Sequence, residues 1–331
     1  MIRTRMAGRP HSGGLGIDIL NHEELLDIHR ASLEVLWHTG VYVQEQAAID
    51  VFARAGAVVN DKTKVVRIPP QVVEAAIESA PRKIVLRGRE PKHDAVIEGR
   101  RVTFTNFGDA VTITDPYTGE HRETTKDDMA KLARVIDTLD IITIMEEMAA
   151  PHDVPPDVAS LHAYEALVLN SSKHINIGPL EAKTAEQVIA MATAVQKACR
   201  PDLPEGPGNL PISFLTCPVS PLRLVDSTCE IIMTAAKHSL PCNILSMAMS
   251  GGSAPVHLAG TLVSHNAEVL SGLTLAQLVN PGTPIIYGSS TTSLDLKTAS
   301  ATVGSPELAL ISASVASLAR FYQLPSWVAG A

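Results

Sequence analysis

Three polar clusters in the last third of the chain have residue types and spacings suited to chemistry. Ser264-His265-Asn266-Ala267-Glu268 sets an imidazole and a carboxylate three positions apart, so on a helix both share a face. The segment 267–278 supplies no basic partner for Glu268, which suits it to acid–base work or to holding a cationic substrate. The competing reading is a glutamate placed by the dipole at a helix N-terminus, since the cluster falls at or near the start of a long helical pattern.

Tyr287-Gly288-Ser289-Ser290-Thr291-Thr292-Ser293-Leu294-Asp295 is a dense run of hydroxyls just past a strand. Such a run is either a solvated loop or cap, or the wall of a small polar pocket. Ser246-Met247-Ala248-Met249-Ser250-Gly251-Gly252-Ser253-Ala254-Pro255 also leaves a strand, and its paired glycines permit close backbone approach to a phosphate or cofactor. It fits neither the dinucleotide fingerprint nor the Walker motif, and a plain turn between strand and helix is the favoured reading. Trp327 is either a core residue or an aromatic wall for an alkylammonium ion. His174, Tyr164 and His152 show no partner spacing and read as structural; no Ser-His-Asp order or metal-ligand cluster stands out.

The elements that must position these residues fall into two stretches. Over residues 1–124, an irregular Gly- and Arg-rich arm of about 20 residues precedes short helices and strands without a clear period. Helices are expected after Asn21, over 44–55 and from Pro69-Pro70 to Ser79; strands over 64–68, 83–87, 101–107 and 110–114; and a turn at 115–119. From Thr125, whose hydroxyl with Asp128 can open a helix, the rhythm becomes strand and helix in alternation. Short apolar strands are expected at 141–145, 174–178, 211–216, 242–247, 284–288 and 325–330, with a helical pattern over 312–323. Their starts recur roughly every 30–40 residues, the spacing of βα units in a parallel sheet or barrel. Six units are short of the eight a closed barrel needs; a strand around 102–107 can supply one more. The division expected is an N-terminal α+β extension (1–124) and a βα region (125–331).

Hydrophobic residues make up 45% and charged residues 19%, enough for a substantial core. A net charge of −8 argues against nucleic acid or an anionic membrane as partner and is compatible with a cationic substrate. Cys199, Cys217, Cys229 and Cys242 form no C-x-x-C pair, so reduced thiols in a soluble cytoplasmic protein are expected. The end, Ser326-Trp327-Val328-Ala329-Gly330-Ala331, reads as a buried strand with no cap or polar tail after it. Domains ordinarily end in exposed polar residues, so the sequence reads as cut inside its fold.

Long segments resemble the trimethylamine–corrinoid methyltransferases. They are Cys242-Asn243-Ile244-Leu245-Ser246 through Pro255, Leu258-Ala259-Gly260-Thr261-Leu262-Val263-Ser264-His265-Asn266-Ala267-Glu268-Val269-Leu270-Ser271-Gly272, and residues 287–297. Val303-Gly304-Ser305-Pro306-Glu307-Leu308 and Tyr322-Gln323-Leu324-Pro325-Ser326-Trp327-Val328-Ala329-Gly330 extend the match. It is dense from about 211 onward and colinear upstream, including 17–40 and 102–108.

The resemblance implies a (β/α)8 TIM barrel, incomplete at the C-terminus, behind the α+β extension. It implies methyl transfer from trimethylamine to the Co(I) corrinoid of a separate corrinoid protein, with dimethylamine released. No cofactor is then bound permanently; corrinoid is presented by the partner, and a homo-oligomer is expected. In that family pyrrolysine, read from an amber codon, follows the tail strand, so the resemblance implies a chain stopped at that codon and inactive alone. On this basis Glu268 is assigned to acid–base or ammonium contact with His265 in support, and Tyr287, Ser289, Thr291, Met247 and Trp327 to the pocket wall. The alternatives are a relative without pyrrolysine that demethylates a quaternary amine such as glycine betaine, and an inactive scaffold or binding fragment.

Overall fold

The computed structural model describes residues 18–330 apart from Asp109 and Glu205. Most of the expected N-terminal arm, and Ala331, lie outside the described residues.

In chain order, the elements that matter for the sites begin with α1 (His22–Glu34), α2 (Pro70–Ser79), β1 (Phe104–Thr105), α3 (Lys126–Thr138) and β2 (Ile142–Glu146). Next come α4 (Ala159–Asn170), β3 (His174–Ile177), α5 (Ala182–Cys199), β4 (Ile212–Thr216), α6 (Asp226–Lys237) and β5 (Cys242–Ser246). Last are β6 (Met249–Ser250), α7 (Leu258–Val279), β7 (Ile285–Ser289), β8 (Thr292–Asp295), α8 (Pro306–Phe321) and β9 (Ser326–Val328). The fold is mixed α/β with parallel strands, and all six strands expected after Thr125 form: four are shortened by one to three residues, and β2 and β7 keep their length but lie one residue later than expected.

Capping chemistry starts the helices. Asn21 opens α1 with a full capping box: its side chain accepts from the Glu24 N–H while Glu24 accepts from the Asn21 N–H. Thr125 and Asp128 do the same for α3. Ser305 caps α8 with Pro306 in the first turn, so that helix starts at Pro306 and not at 312, where the apolar pattern first suggested it. A second correction concerns α7. It begins at Leu258, so His265 and Glu268 sit in its second and third turns and not at its N-terminus.

The chain forms two compact units, one of Ile84–Leu215 and one joining the described residues up to Lys83 with Thr216 onward. In the first, β1 pairs parallel with β2, β2 with β3, and β3 with β4. The expected strand over 101–107 shrinks to Phe104–Thr105, yet it supplies the additional parallel strand. One face of β2–β4 is apolar and buried, with Met145, Ile175, Ile177, Ile212 and Phe214. The opposite face carries Glu146, His174, Asn176 and Ser213, which the register sets side by side.

In the second unit β5 pairs parallel with β7, and β7 with β9. Helix α7 packs on β5, β7, α1, α2 and α6, and is buried over nearly its whole length from Thr261 to Gln277. Residues on such a helix that are polar must find partners inside the protein. Among the described residues no helix is long and apolar enough to cross a membrane.

Candidate functional site

The sequence-assigned residues lie in the second unit, and strand parity sorts them. Along β7, Tyr287 and Ser289 point to one face and Gly288 to the other. Trp327 is paired with Gly288, so it lies on the face opposite Tyr287 and Ser289. A methyl at position 288 would sit 2.1 Å from Asn243 Oδ1 and 2.9 Å from Leu245 Cα, so only glycine fits beneath that asparagine. Both polar atoms of the Asn243 side chain are buried without a hydrogen-bond partner.

On the Tyr287 face a polar knot ties α7 to its neighbours. The Tyr287 hydroxyl donates to Asn266 Oδ1 (2.6 Å), and Asn266 Nδ2 donates to Ser32 Oγ (2.9 Å) and Tyr322 Oη (2.8 Å). His265 packs edge-on against Tyr287, with ring centroids 5.4 Å apart, and its Nδ1 is 3.1 Å from Thr291 Oγ1. Its Nε2 is buried and unpartnered. Burial pushes His265 down to about 3, so the ring is neutral. Ser289 Oγ accepts the Thr291 N–H at 3.1 Å, and this end of the hydroxyl run is buried and not a solvated loop. Met247, by contrast, is 45% exposed.

Glu268 is 0% exposed. Its Oε2 accepts the hydroxyls of Ser246 (2.6 Å) and Ser220 (2.8 Å), and its Oε1 accepts the Leu222 N–H (3.0 Å). Burial pushes its pKa up, and these three donors pull the other way. Leu222 sits at φ 53°, a left-handed backbone that a branched residue adopts only when its surroundings hold it there. The Glu268 carboxylate thus fastens the loop 220–222 to the end of β5. His265 and Glu268, three apart in sequence, turn to different partners, and no hydrogen bond joins them among those described.

Sequence reasoning missed a second polar array, in the first unit. His174 Nδ1 lies 2.8 Å from the Arg87 carbonyl oxygen and its Nε2 lies 2.9 Å from Ser213 Oγ. Ser213 Oγ lies 2.7 Å from Asn176 Oδ1, and Asn176 Nδ2 lies 2.7 Å from Glu146 Oε2. The array spans three strands, so spacing along the chain gives no sign of it; a polar residue at every second position of His174-Ile175-Asn176 was the available signal. The four cysteines are free thiols, and burial pushes Cys229 and Cys242 up to about 12.

Comparison with known proteins gives this geometry a setting. The family model described as trimethylamine methyltransferase (MTTB) matches residues 6–331. The chain is 46% identical over 324 residues to trimethylamine methyltransferase MttB of Desulfitobacterium hafniense, covering 98% of this chain and 64% of that protein. It is 42% identical over 330 residues to MttB of Methanosarcina thermophila, covering 98% and 68%. Glycine betaine methyltransferase of D. hafniense is 32% identical over 310 residues, covering 93% and 63%. The chain therefore spans about two thirds of the length of these relatives. Among solved structures, the monomethylamine methyltransferase MtmB of Methanosarcina barkeri matches with a TM-score of 0.59 at 12% identity, over 93% of this chain and 62% of that one, which bears on the fold alone. The chain belongs to the trimethylamine methyltransferase (MTTB) family.

Proposed function

We infer that the protein transfers a methyl group from trimethylamine to the Co(I) corrinoid of a partner corrinoid protein and releases dimethylamine. The carrying observation is the identity along nearly the whole chain to the trimethylamine methyltransferases, well above that to the glycine betaine enzyme. The alternation of parallel strands and helices supports a (β/α)8 barrel as the frame, and the fold shared with the monomethylamine enzyme agrees with it. The absence of a membrane-crossing helix among the described residues is compatible with a cytoplasmic enzyme.

Chemistry sets what such a site must do. The dimethylamide anion is too basic to leave, so the C–N bond breaks only when nitrogen carries positive charge and departs as a neutral amine. The corrinoid, brought by the partner, supplies the nucleophile that accepts the methyl. The protein must bind the amine with its nitrogen protonated, hold that proton and keep water out.

In the second unit, Tyr287, Asn266, His265 and Thr291 form a buried backing of hydrogen bonds and ring contact, and Glu268 positions the loop 220–222 against Ser246. Ser289 fixes the Thr291 backbone. We assign exposed Met247, and Trp327 on the Gly288 face, to apolar contact with a methylated cation.

The test is methyl transfer by the full-length enzyme to a reduced corrinoid protein, with trimethylamine and glycine betaine offered separately. Dimethylamine formed in step with corrinoid methylation supports the reading. Turnover of glycine betaine with none of trimethylamine overturns it.

A further inference from the structure

The distances in the array on the polar face of β2–β4 constrain where its hydrogens lie. A carbonyl oxygen only accepts, so His174 Nδ1, 2.8 Å from the Arg87 oxygen, carries a hydrogen. The single hydroxyl hydrogen of Ser213 then has two claimants, Asn176 Oδ1 at 2.7 Å and His174 Nε2 at 2.9 Å.

If the hydrogen goes to Asn176, Nε2 must carry its own, which makes His174 an imidazolium. Asn176 Nδ2 then donates to a Glu146 carboxylate at 2.7 Å. If it goes to His174, the ring is neutral and the Asn176 amide turns over, with Nδ2 donating to Ser213. Asn176 Oδ1 then faces Glu146 Oε2, which must be the carboxylic acid. Both satisfied arrangements hold the same mobile proton, at one end of the chain or the other.

The burial of His174 chooses between them. His174 is wholly buried, and burial pushes it down to about 4, so the ring stays neutral near pH 7. The hydrogen bond to the Arg87 carbonyl and, less, Asp94 pull the other way without offsetting burial, and Asp94 is itself engaged by Arg87 and Arg200. Glu146 is the least buried member of the array. His174, Asn176 and Ser213 are 0% exposed and Glu146 is 7% exposed, at the C-terminal end of β2, the end where parallel α/β sheets place their chemistry.

That glutamate is held with care. Asn106 Nδ2 donates to the Glu146 carbonyl (2.9 Å) and Asn106 Oδ1 accepts its N–H (3.0 Å). Gly108 leaves the space into which a methyl would come 2.8 Å from Glu146 Cγ.

We propose that Glu146 is a carboxylic acid kept protonated by the His174–Ser213–Asn176 relay, and that it takes a tertiary amine by giving this proton to the amine nitrogen. The amine becomes an ammonium paired with the Glu146 carboxylate. When the methyl passes to the partner's reduced corrinoid, the C–N electron pair stays on nitrogen and dimethylamine keeps the proton; Glu146 regains one from water. A quaternary amine has no lone pair to take the proton and leaves the relay as it was. Glu146 as an amine site rests on the trimethylamine reading, whereas the location of the relay's proton does not.

Isothermal titration calorimetry of the full-length enzyme near pH 7, in two buffers of different ionisation enthalpy, reads the proton directly. Trimethylamine enters from water as the ammonium, so its capture by the wild type should release about one proton per amine bound. Tetramethylammonium should release none. Glu146→Gln should lose the release and bind trimethylamine more weakly. Ser213→Ala keeps Glu146 but frees Asn176 to donate to its carboxylate, so it should bind trimethylamine with no proton released.

Binding to the wild type without proton release overturns the relay, as does release that persists in Ser213→Ala. Release that persists in Glu146→Gln overturns the assignment to that residue. If trimethylamine does not bind and is not demethylated in the separate transfer assay, the functional reading fails and the amine site falls with it.

Discussion

The two units each bury a glutamate among hydroxyls and amides, and they do so to different ends. Glu268 rises from the middle of a buried helix and meets three donors, two hydroxyls and a backbone N–H, none of which needs a proton back. Its array is complete as a carboxylate, and what it secures is a strained loop beside the end of β5. Glu146 stands at a strand end and meets an amide that can face either way, a hydroxyl with two claimants and an imidazole pinned on its far side. In the arrangement we propose, its array carries an added proton. A buried carboxylate whose partners all donate is a fastening; one whose partners can reverse is able to exchange a proton with a ligand.

The largest effect separating the two is on stability. Replacing Glu268 by Ala strands three buried donors and should destabilise the full-length enzyme by about 3 to 5 kcal/mol in denaturant unfolding, with Gln costing less. A cost near zero would remove the fastening role.

Acid should act next. His174 and His265 are buried neutral, pushed down to about 4 and about 3, so unfolded chains take up protons at higher pH than the folded protein does. Their contribution is complete above pH 6.5 and is lost as pH falls through the folded values, on the order of 3 kcal/mol for His174 and about 5 kcal/mol for His265. Glu268, pushed up, has the opposite sign: its contribution is complete below the ordinary glutamate range and declines as pH rises. Equilibrium unfolding followed from pH 7 to pH 4 should show the histidine loss; a flat profile in that window would contradict both neutral rings.

Gly288→Ala should cost about 2 kcal/mol, because its methyl has no room beside Asn243. An alanine tolerated without loss would mean that the Asn243 side chain moves freely. Ser213→Ala should cost least, about 1 kcal/mol, while abolishing proton release on amine binding. That pairing of a small stability change with a complete change in proton uptake is what a merely structural serine would not show.

Much of the frame was legible in the sequence. The capping residues Asn21 and Thr125, the strand–helix rhythm after Thr125 and the parallel strand drawn from the segment around Phe104 all follow from local chemistry that the fold leaves intact. The Ser305-Pro306 start of α8 was as local, but the apolar pattern farther along drew attention from it. Glu268 and His265 were legible as a pair and not as partners, because neighbours on a helix buried all round can face different elements. Trp327 and Tyr287 both lie on adjoining strands, yet register puts them on opposite faces, and register is a property of pairing that no single strand carries. The relay was least legible of all. His174, Ser213 and Glu146 come together only because three strands lie side by side in one register, so His174 read alone was a structural residue.

The contrast is tested most directly by methyl transfer from trimethylamine in the full-length enzyme, with Glu146→Gln and Glu268→Gln measured side by side at matched folded fraction. Glu146→Gln should lose on the order of 100-fold in kcat/KM, as expected when a buried ammonium loses its paired carboxylate, while Glu268→Gln keeps most of its rate. A Glu146→Gln enzyme that turns over normally, beside a Glu268→Gln enzyme that is folded and inactive, would contradict the account and return the chemistry to Glu268.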